Sequence, residues 1–265
     1  MKAFVYRNNN SLSIETCARI EESLKARNIT VLNSYDESVD FLVCIGGDGT
    51  FLSFIHKLGF PTVPILSINT GHLGFFQEAS PSDAEKLIDA YLNGDYKTQC
   101  IHTIEAEIQT DRDTFIRNGI NEIVIRGPLA HVSQYRVEVE STPISDFSGD
   151  GILVSTPVGS TAYNYSLGGS LVSPNLDVLQ ITPIAPMNTN TYRCFHSSVI
   201  IPSDETITVC GLGRSENGNV ILSFDGRTHE FNNVKRIRIK KSQNELHLVR
   251  FSDYNYWKKL KSKLV

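Results

Sequence analysis

The 265-residue sequence lacks several things, and each absence narrows its function. There is no excess of positive charge: 25 lysines and arginines stand against 29 aspartates and glutamates, a net charge of −4. A nucleic-acid-binding chain would be expected to show a basic face or stripe. The only dense basic stretch, "WKKLKSKL" at 257–264, is short and reads as the solvated face of a terminal helix. There is no C-x-x-C. The five cysteines (Cys17, Cys44, Cys100, Cys194 and Cys210) are odd in number and widely spaced, which argues against a disulfide framework or structural zinc and for a reducing compartment. No uninterrupted apolar run approaches the roughly 20 residues of a membrane helix. The opening "MKAFVYRNNN" has too little apolar content for a signal peptide. Internal repeats, low-complexity segments and long linkers are missing too. The expectation is a cytoplasmic protein with no nucleic-acid or membrane partner, long enough for one large domain or two modest ones.

What is present divides into two patterns. Over the first hundred residues strand and helix signals alternate. "KAFVYR", "ITVLN", "DFLVCI" and "VPILSIN" read as strands, the last two as buried parallel ones. "SIETCARIEESLKAR", the run after "GGDGT" (Phe51, Leu52, Phe54, Ile55, Leu58) and "PSDAEKLIDAYLNG" carry helical spacing. Pro81 near the start and Gly94 past the end punctuate the last of these. This predicts a Rossmann-like α/β domain with a parallel sheet over 1–97. Beyond "NGDYKTQCIH" the pattern turns to alternating, β-branched stretches: "TIEAEIQT", "TFIRNGINEIVIRG", "SQYRVEVES", "GILVST", "SVIIPSDETITVCGL", "NVILSFDG", "RIRIKK" and "ELHLVRF". They predict a β-rich, sandwich-like second domain over 98–250, followed by a helical tail, 251–265, packing back on the first domain.

Four motifs carry chemistry. "GGDGT" (46–50) follows a buried strand and precedes an amphipathic helix, which disfavours a D-G hairpin turn. A strand, glycine loop and helix present free backbone N–H groups and a positive dipole end to phosphate. Gly46, Gly47, Gly49 and Thr50 are the phosphate candidates, with Thr50 as the expected N-cap. No Lys-Ser/Thr follows, so this is not a Walker loop. Asp48 is out of place among phosphates unless it accepts a hydroxyl proton or meets a metal. "SINTGHLGFF" (67–76) follows the next buried strand and should lie beside the first loop, because parallel sheets bind ligands at their carboxyl ends. Asn121 and Glu122, at the head of "NEIVI", suit the hydroxyls of a sugar or simply end a surface strand. "SGDGILVSTPVGSTAYNYSLGGSLVSP" (148–174) repeats "GDG" and offers Ser160, Thr161, Tyr163 and Ser166 to phosphate, ribose or base. No G-x-S-x-G serine nucleophile is present.

With "NTGHLGF", "NE", "GDGILVSTPVGSTAY" and "SLGG" in this order after "GGDGT", the chain resembles an NAD kinase of the bacterial type (the ATP/polyphosphate NAD kinase family). "TPIAP" (182–186) and "FDGR" (224–227) match later family segments. The resemblance implies an N-terminal domain akin to those of diacylglycerol kinases and phosphofructokinases. It implies transfer of the γ-phosphate of ATP, or of polyphosphate, to the 2′-hydroxyl of the adenosine ribose of NAD, with Mg²⁺ or another divalent cation. It further implies a homo-oligomer, often a tetramer. Residue by residue, it implies that Asp48 accepts the hydroxyl proton and that Gly49 contacts NAD beside it. Phe75 packs on the adenine side, and Asn121 and Glu122 hold ribose and adenosine hydroxyls. Asp150 meets the nicotinamide amide, with Ala185 near that end. Thr161, Ala162, Tyr163, Asn164 and Ser166 line the adenine, with Val158 as a further contact. The chain departs from the family at Ser148, where many relatives carry a basic residue reaching a neighbouring subunit's 2′-phosphate, and at Gly226, where some supply a ligand-binding side chain. A lipid or sugar kinase sharing "GGDGT" and a catalytically silent NAD(P)-binding regulator are the competing readings.

Overall fold

A computed structural model describes the chain except at residues 73, 129–131, 189–193, 212–217 and 265. Leu73 of the "NTGHLGF" loop therefore lies outside the described residues. Internal packing divides the chain into two units, Met1–Ile101 with Asn244–Val265, and His102–Gln243. The boundary expected near residue 97 falls inside the strand Tyr96–Thr110.

In the first unit β1 (Lys2–Arg7), β2 (Thr30–Leu32), β3 (Phe41–Ile45) and β4 (Ile65–Ile68) form a parallel sheet in the order β2-β1-β3-β4. The last strand of the chain, β16 (Val234–Phe251), meets β4 in parallel at Leu248↔Ile65. All five β3 residues are buried, as a strand covered on both faces demands. Helices α1 (Ser11–Ala26), α2 (Asp48–Leu58) and α3 (Ala84–Asn93) show the expected punctuation. The Asn10 side chain accepts the Ser13 N–H at the start of α1, and Gly59 and Gly94 end α2 and α3 in the left-handed region. Pro81–Asp83 forms a 3-10 turn ahead of α3, capped by Ser80. The last helix, α5 (Tyr256–Leu264), belongs to this unit, and the short α4 (Tyr163–Ser166) to the other. No helix among the described residues is long and apolar enough to cross a membrane.

The second unit is a β-sandwich. One sheet has the order β12-β11-β10-β7-β14-β15 and is antiparallel throughout: β7 (Glu122–Arg126), β10 (Gly151–Ser155), β11 (Val178–Ile184), β12 (Val199–Pro202), β14 (Val220–Phe224) and β15 (Arg227–Phe231). The other joins β16 to β13 (Ile207–Gly211), β8 (Ser133–Val139) and β9 (Thr142–Gly149), with β5 (Tyr96–Thr110) and β6 (Thr114–Gly119) on the far side of β16. Ile104, Ile125, Phe147, Ile152, Ile207 and Leu222 belong to the core that the two sheets enclose.

Three sequence readings change here. "TFIRNGINEIVIRG" is two strands in different sheets, broken at Ile120 and Asn121. "SVIIPSDETITVCGL" likewise divides between β12 and β13. "RIRIKK" and "ELHLVRF" are one continuous strand. Strands β9 (TPISDFSG) and β15 (RTHEF) escape the sequence pattern because they hold residues with little β-preference.

Gly159, in a 3-10 turn at Val158–Thr161, sits so near the Asn121 carbonyl that a Cβ there would overlap backbone atoms. Gly159→Ala is expected to cost about 1–3 kcal/mol and to lower Tm by several degrees in a thermal scan. Gly71→Ala, with open space around its Cβ, is the control that should leave Tm unchanged.

Candidate active site

In the first unit the chemistry gathers on Asp48. Gly47, extended at φ −97°, ψ −173°, is the N-cap of α2, and Asp48 is the first helical residue. Thr50 is therefore not the cap. It lies in the first turn, where its hydroxyl accepts from the Asn8 amide at 3.1 Å. A carboxylate in the first turn is favoured by the helix dipole. Each Asp48 oxygen also accepts a backbone N–H from the 67–76 loop: Phe75 N on Oδ2 at 3.0 Å and Phe76 N on Oδ1 at 3.1 Å. Gly74 lies against this carboxylate and the Gln77 side chain, where any Cβ would clash. The two loops meet, as the ends of adjacent parallel strands must. Gly49 is exposed on the first turn. The Gly46 N–H is occupied by the Ile68 carbonyl at 2.9 Å, so it offers no donor to a phosphate.

The loop that holds Asp48 is fixed from behind by Arg250, the largest fully buried side chain among the described residues and only 1% exposed. Its guanidinium donates to the Phe75, Phe76 and Gln77 carbonyls at 3.0, 3.0 and 3.2 Å, to Glu78 at 3.0 Å and to Gln99 at 2.8 Å. Helix α5 adds two lysines. Lys259 donates to the Gln77 carbonyl, and burial, helped by the Arg250 charge, pulls its pKa down to about 7. Lys263 Nζ lies 2.9 Å from Asp48 Oδ2 and 4.2 Å from the centre of the Phe75 ring. The reading of "WKKLKSKL" as a solvated face is thus corrected in part: Lys258 and Lys261 are exposed, but Lys259 and Lys263 reach the Asp48 loop. Helical spacing allows this, because 259 and 263 are four apart and share a face. Sequence alone offered one further signal, a lone arginine inside the apolar run "LHLVRF".

In the second unit Asn121 and Glu122 stand where the chain leaves one sheet for the other. Asp225 takes the Ile120 and Asn121 N–H groups at 2.7 Å each. It does so from the two-residue β14–β15 turn, where Asp225 and Gly226 both have positive φ (49° and 79°). The Thr156 hydroxyl donates to the Ile120 carbonyl at 2.7 Å. Glu122, Val124, Arg126, Tyr163, Ser223, Asp225 and Gly226 line a cleft of about 290 Å³. The Arg126 guanidinium stacks 5.6 Å from the Tyr163 ring centre and donates to its hydroxyl. Glu122 is buried with one oxygen unpartnered. Burial, and then the Asp225 charge, push its pKa up to about 8.

The other candidates distribute unevenly. Thr161, Ala162 and Tyr163 are half-buried, as is Val158, and Ser166 is exposed. Asn164 is fully buried, and its amide is occupied by Ser160, Ser170 and Thr182. Ser160 is also fully buried and bonded to the Pro157 and Val172 backbone, so its hydroxyl is not presented to a ligand. Asp150 and Ala185 are exposed neighbours, with the Asp150 N–H donating to the Ile184 carbonyl at 2.9 Å. They lie past Gly151, whereas Glu122 pairs with Ser155 at the other end of β10. At about 3.3 Å per residue that is roughly 16 Å along the sheet. Ser148 is buried, only 5% exposed. Among the described residues one cluster of metal-ligating types occurs, Cys100, Glu245 and His247. Its thiol and imidazole suit a softer ion than Mg²⁺, and it includes none of the residues around Asp48.

Comparison with known proteins identifies the family and the fold. The family model of the ATP-NAD kinase N-terminal domain matches residues 3–96, and that of the ATP-NAD kinase C-terminal domain matches residues 120–251. An NAD kinase of Finegoldia magna is 33% identical over 264 residues, 98% of this chain and 97% of the relative. One from Lactobacillus acidophilus is 28% identical over 100% of this chain and 97% of its own length. Among solved structures, an NAD kinase from Archaeoglobus fulgidus in complex with ATP is 27% identical with a TM-score of 0.76, over 99% of this chain and 98% of that one. Yeast NADH kinase complexed with NADH shares the fold at a TM-score of 0.85 and 20% identity, over 99% and 86% of the two chains.

Two outcomes test the site as a structure. Arg250→Met removes the guanidinium from the buried Glu78 carboxylate and from the Phe75, Phe76 and Gln77 carbonyls and should cost about 3–5 kcal/mol in denaturant unfolding. Glu122 holds a proton in the folded state between about 4.5 and 8 that the unfolded chain releases. Its contribution to stability is complete below about 4.5 and disappears as pH rises through about 8. Relative to Glu122→Gln, the wild type should therefore lose Tm between pH 5 and 9.

Proposed function

The chain belongs to the NAD kinase family, and from that premise we propose that it transfers the γ-phosphate of ATP to the 2′-hydroxyl of the adenosine ribose of NAD, giving NADP. The observation that carries the reading is Asp48: a carboxylate at the first turn of a helix, fixed by two backbone N–H groups beside a glycine loop. Such a group suits a proton acceptor, already oriented and still 27% exposed. Asn121, Glu122 and Tyr163 are the adenosine-recognition residues. A largely protonated Glu122 can donate as well as accept, which suits ribose hydroxyls. Asp150 and Ala185 take the nicotinamide end, and the span along β10 fits a ligand with two distant ends.

The donor set around Asp48 is compatible with Mg²⁺, which is bound through one or two carboxylates together with substrate phosphates. Bound with ATP, such a cation would neutralise phosphate charge. The chain's own part is to orient the hydroxyl and take its proton. A homo-oligomer in the cytoplasm is part of the same proposal and rests on the family resemblance. A mass near 29.5 kDa by light scattering would overturn the oligomer.

Incubation with NAD, ATP and Mg²⁺, followed by detection with an NADP-specific dehydrogenase, should show NADP. None formed would sink the reading. Asp48→Asn should lower kcat by about 10²–10⁴-fold while calorimetry shows NAD binding retained. An unimpaired variant would remove Asp48 from the reaction.

A further inference from the structure

We propose that Lys263 is a phosphate-contacting residue of the transfer step, its ammonium moving from the Asp48 carboxylate to the phosphoryl group that ATP delivers. This rests on the reading of Asp48 as proton acceptor. The glycine loop carries no cation of its own. "GGDGT" has no basic residue, and the next lysine along α2, Lys57, lies over the Tyr6 ring instead. The basic side chains against the Asp48 loop come from β16 and α5. Arg250 is buried and committed to backbone carbonyls, Glu78 and Gln99. Lys259 is largely buried and bonded to the Gln77 carbonyl. Lys263 differs: its side chain is 28% exposed, and Asp48 takes only one of its three donors.

Orientation of Asp48 does not require this lysine, since a backbone N–H already holds each carboxylate oxygen. Proximity gives it another use. The hydroxyl oxygen that gives its proton to Asp48 sits about 3 Å from the carboxylate and about 3–3.5 Å from the phosphorus it attacks. The migrating phosphoryl group therefore passes within roughly 6 Å of Asp48. A cation 2.9 Å from Oδ2, on a four-carbon stem, reaches its oxygens by rotation alone. As the new O–P bond forms, the hydroxyl proton goes to Asp48. The bond from phosphorus to the β–γ bridging oxygen breaks, and ADP keeps the electron pair. Lys263 bonds covalently to nothing; it offsets charge on the phosphoryl oxygens. Its departure also frees Oδ2, the oxygen it shares with the Phe75 N–H, for the incoming hydroxyl.

The experiment compares full-length wild type with Lys263→Ala, Lys263→Arg, Asp48→Asn and Lys261→Ala, an exposed residue of the same helix. Lys263→Ala should lower kcat/KM for ATP by about 10²-fold, with KM for NAD and Tm close to wild type. Added methylammonium should restore part of the rate, Lys263→Arg should retain more activity than the alanine variant, and Lys261→Ala should match wild type. Full activity of Lys263→Ala beside an inactive Asp48→Asn overturns this inference and leaves the Asp48 reading standing. A fully active Asp48→Asn overturns the reading itself. Loss in Lys263→Ala that spreads equally to both substrates, tracks a lower Tm and is not restored by methylammonium assigns Lys263 a structural part and overturns the inference.

Discussion

The buried guanidinium of Arg250 is the contact on which the Asp48 loop depends. A charge 1% exposed is costly to desolvate, and it persists here because its donors meet loop carbonyls, Glu78 and Gln99. Fixing the carbonyls of Phe75, Phe76 and Gln77 fixes the peptide planes of that loop. Two N–H groups of the same stretch then face Asp48. The orientation of the carboxylate is thus set by residues some 200 positions away in sequence, through a backbone segment with little secondary structure of its own.

The second unit solves a similar problem with carboxylates. Asp225, on a tight two-residue turn, takes the N–H groups of Ile120 and Asn121 where the chain changes sheets. Thr156 and the missing side chain of Gly159 allow the opposite strand to close on the same peptide. The cost is that Glu122 is buried near a second carboxylate, which favours its proton. A carboxyl group held in that state recognises hydroxyls as donor and acceptor together.

How much of this was legible in the sequence differs by element. The buried strand, glycine loop and amphipathic helix around "GGDGT" were plain, because apolar periodicity is a local property and glycines mark where it stops. The parallel sheet and the β-rich remainder followed from the same periodicities. Illegible were strands such as β9 and β15, whose polar residues acquire a face only when a partner strand supplies one. Thr50 was misread as a cap because cap identity turns on the dihedral angles of Gly47, which composition does not fix. Ser160 looked like a ligand-binding hydroxyl until burial showed it bonded inward.

The sequence by itself determined the two-domain plan, the place of Asp48 at a strand-to-helix junction and the family resemblance, since all three rest on local order and spacing. The tertiary structure alone decided which side chains surround Asp48, and that Arg250, Lys259 and Lys263 are among them. It also decided that Glu122 lies near Asp225. Burial and charge proximity depend on distances between segments far apart in the chain. In "GGDGT" the aspartate is a lone acid among glycines; in the fold it is a carboxylate held by two amides and an ammonium.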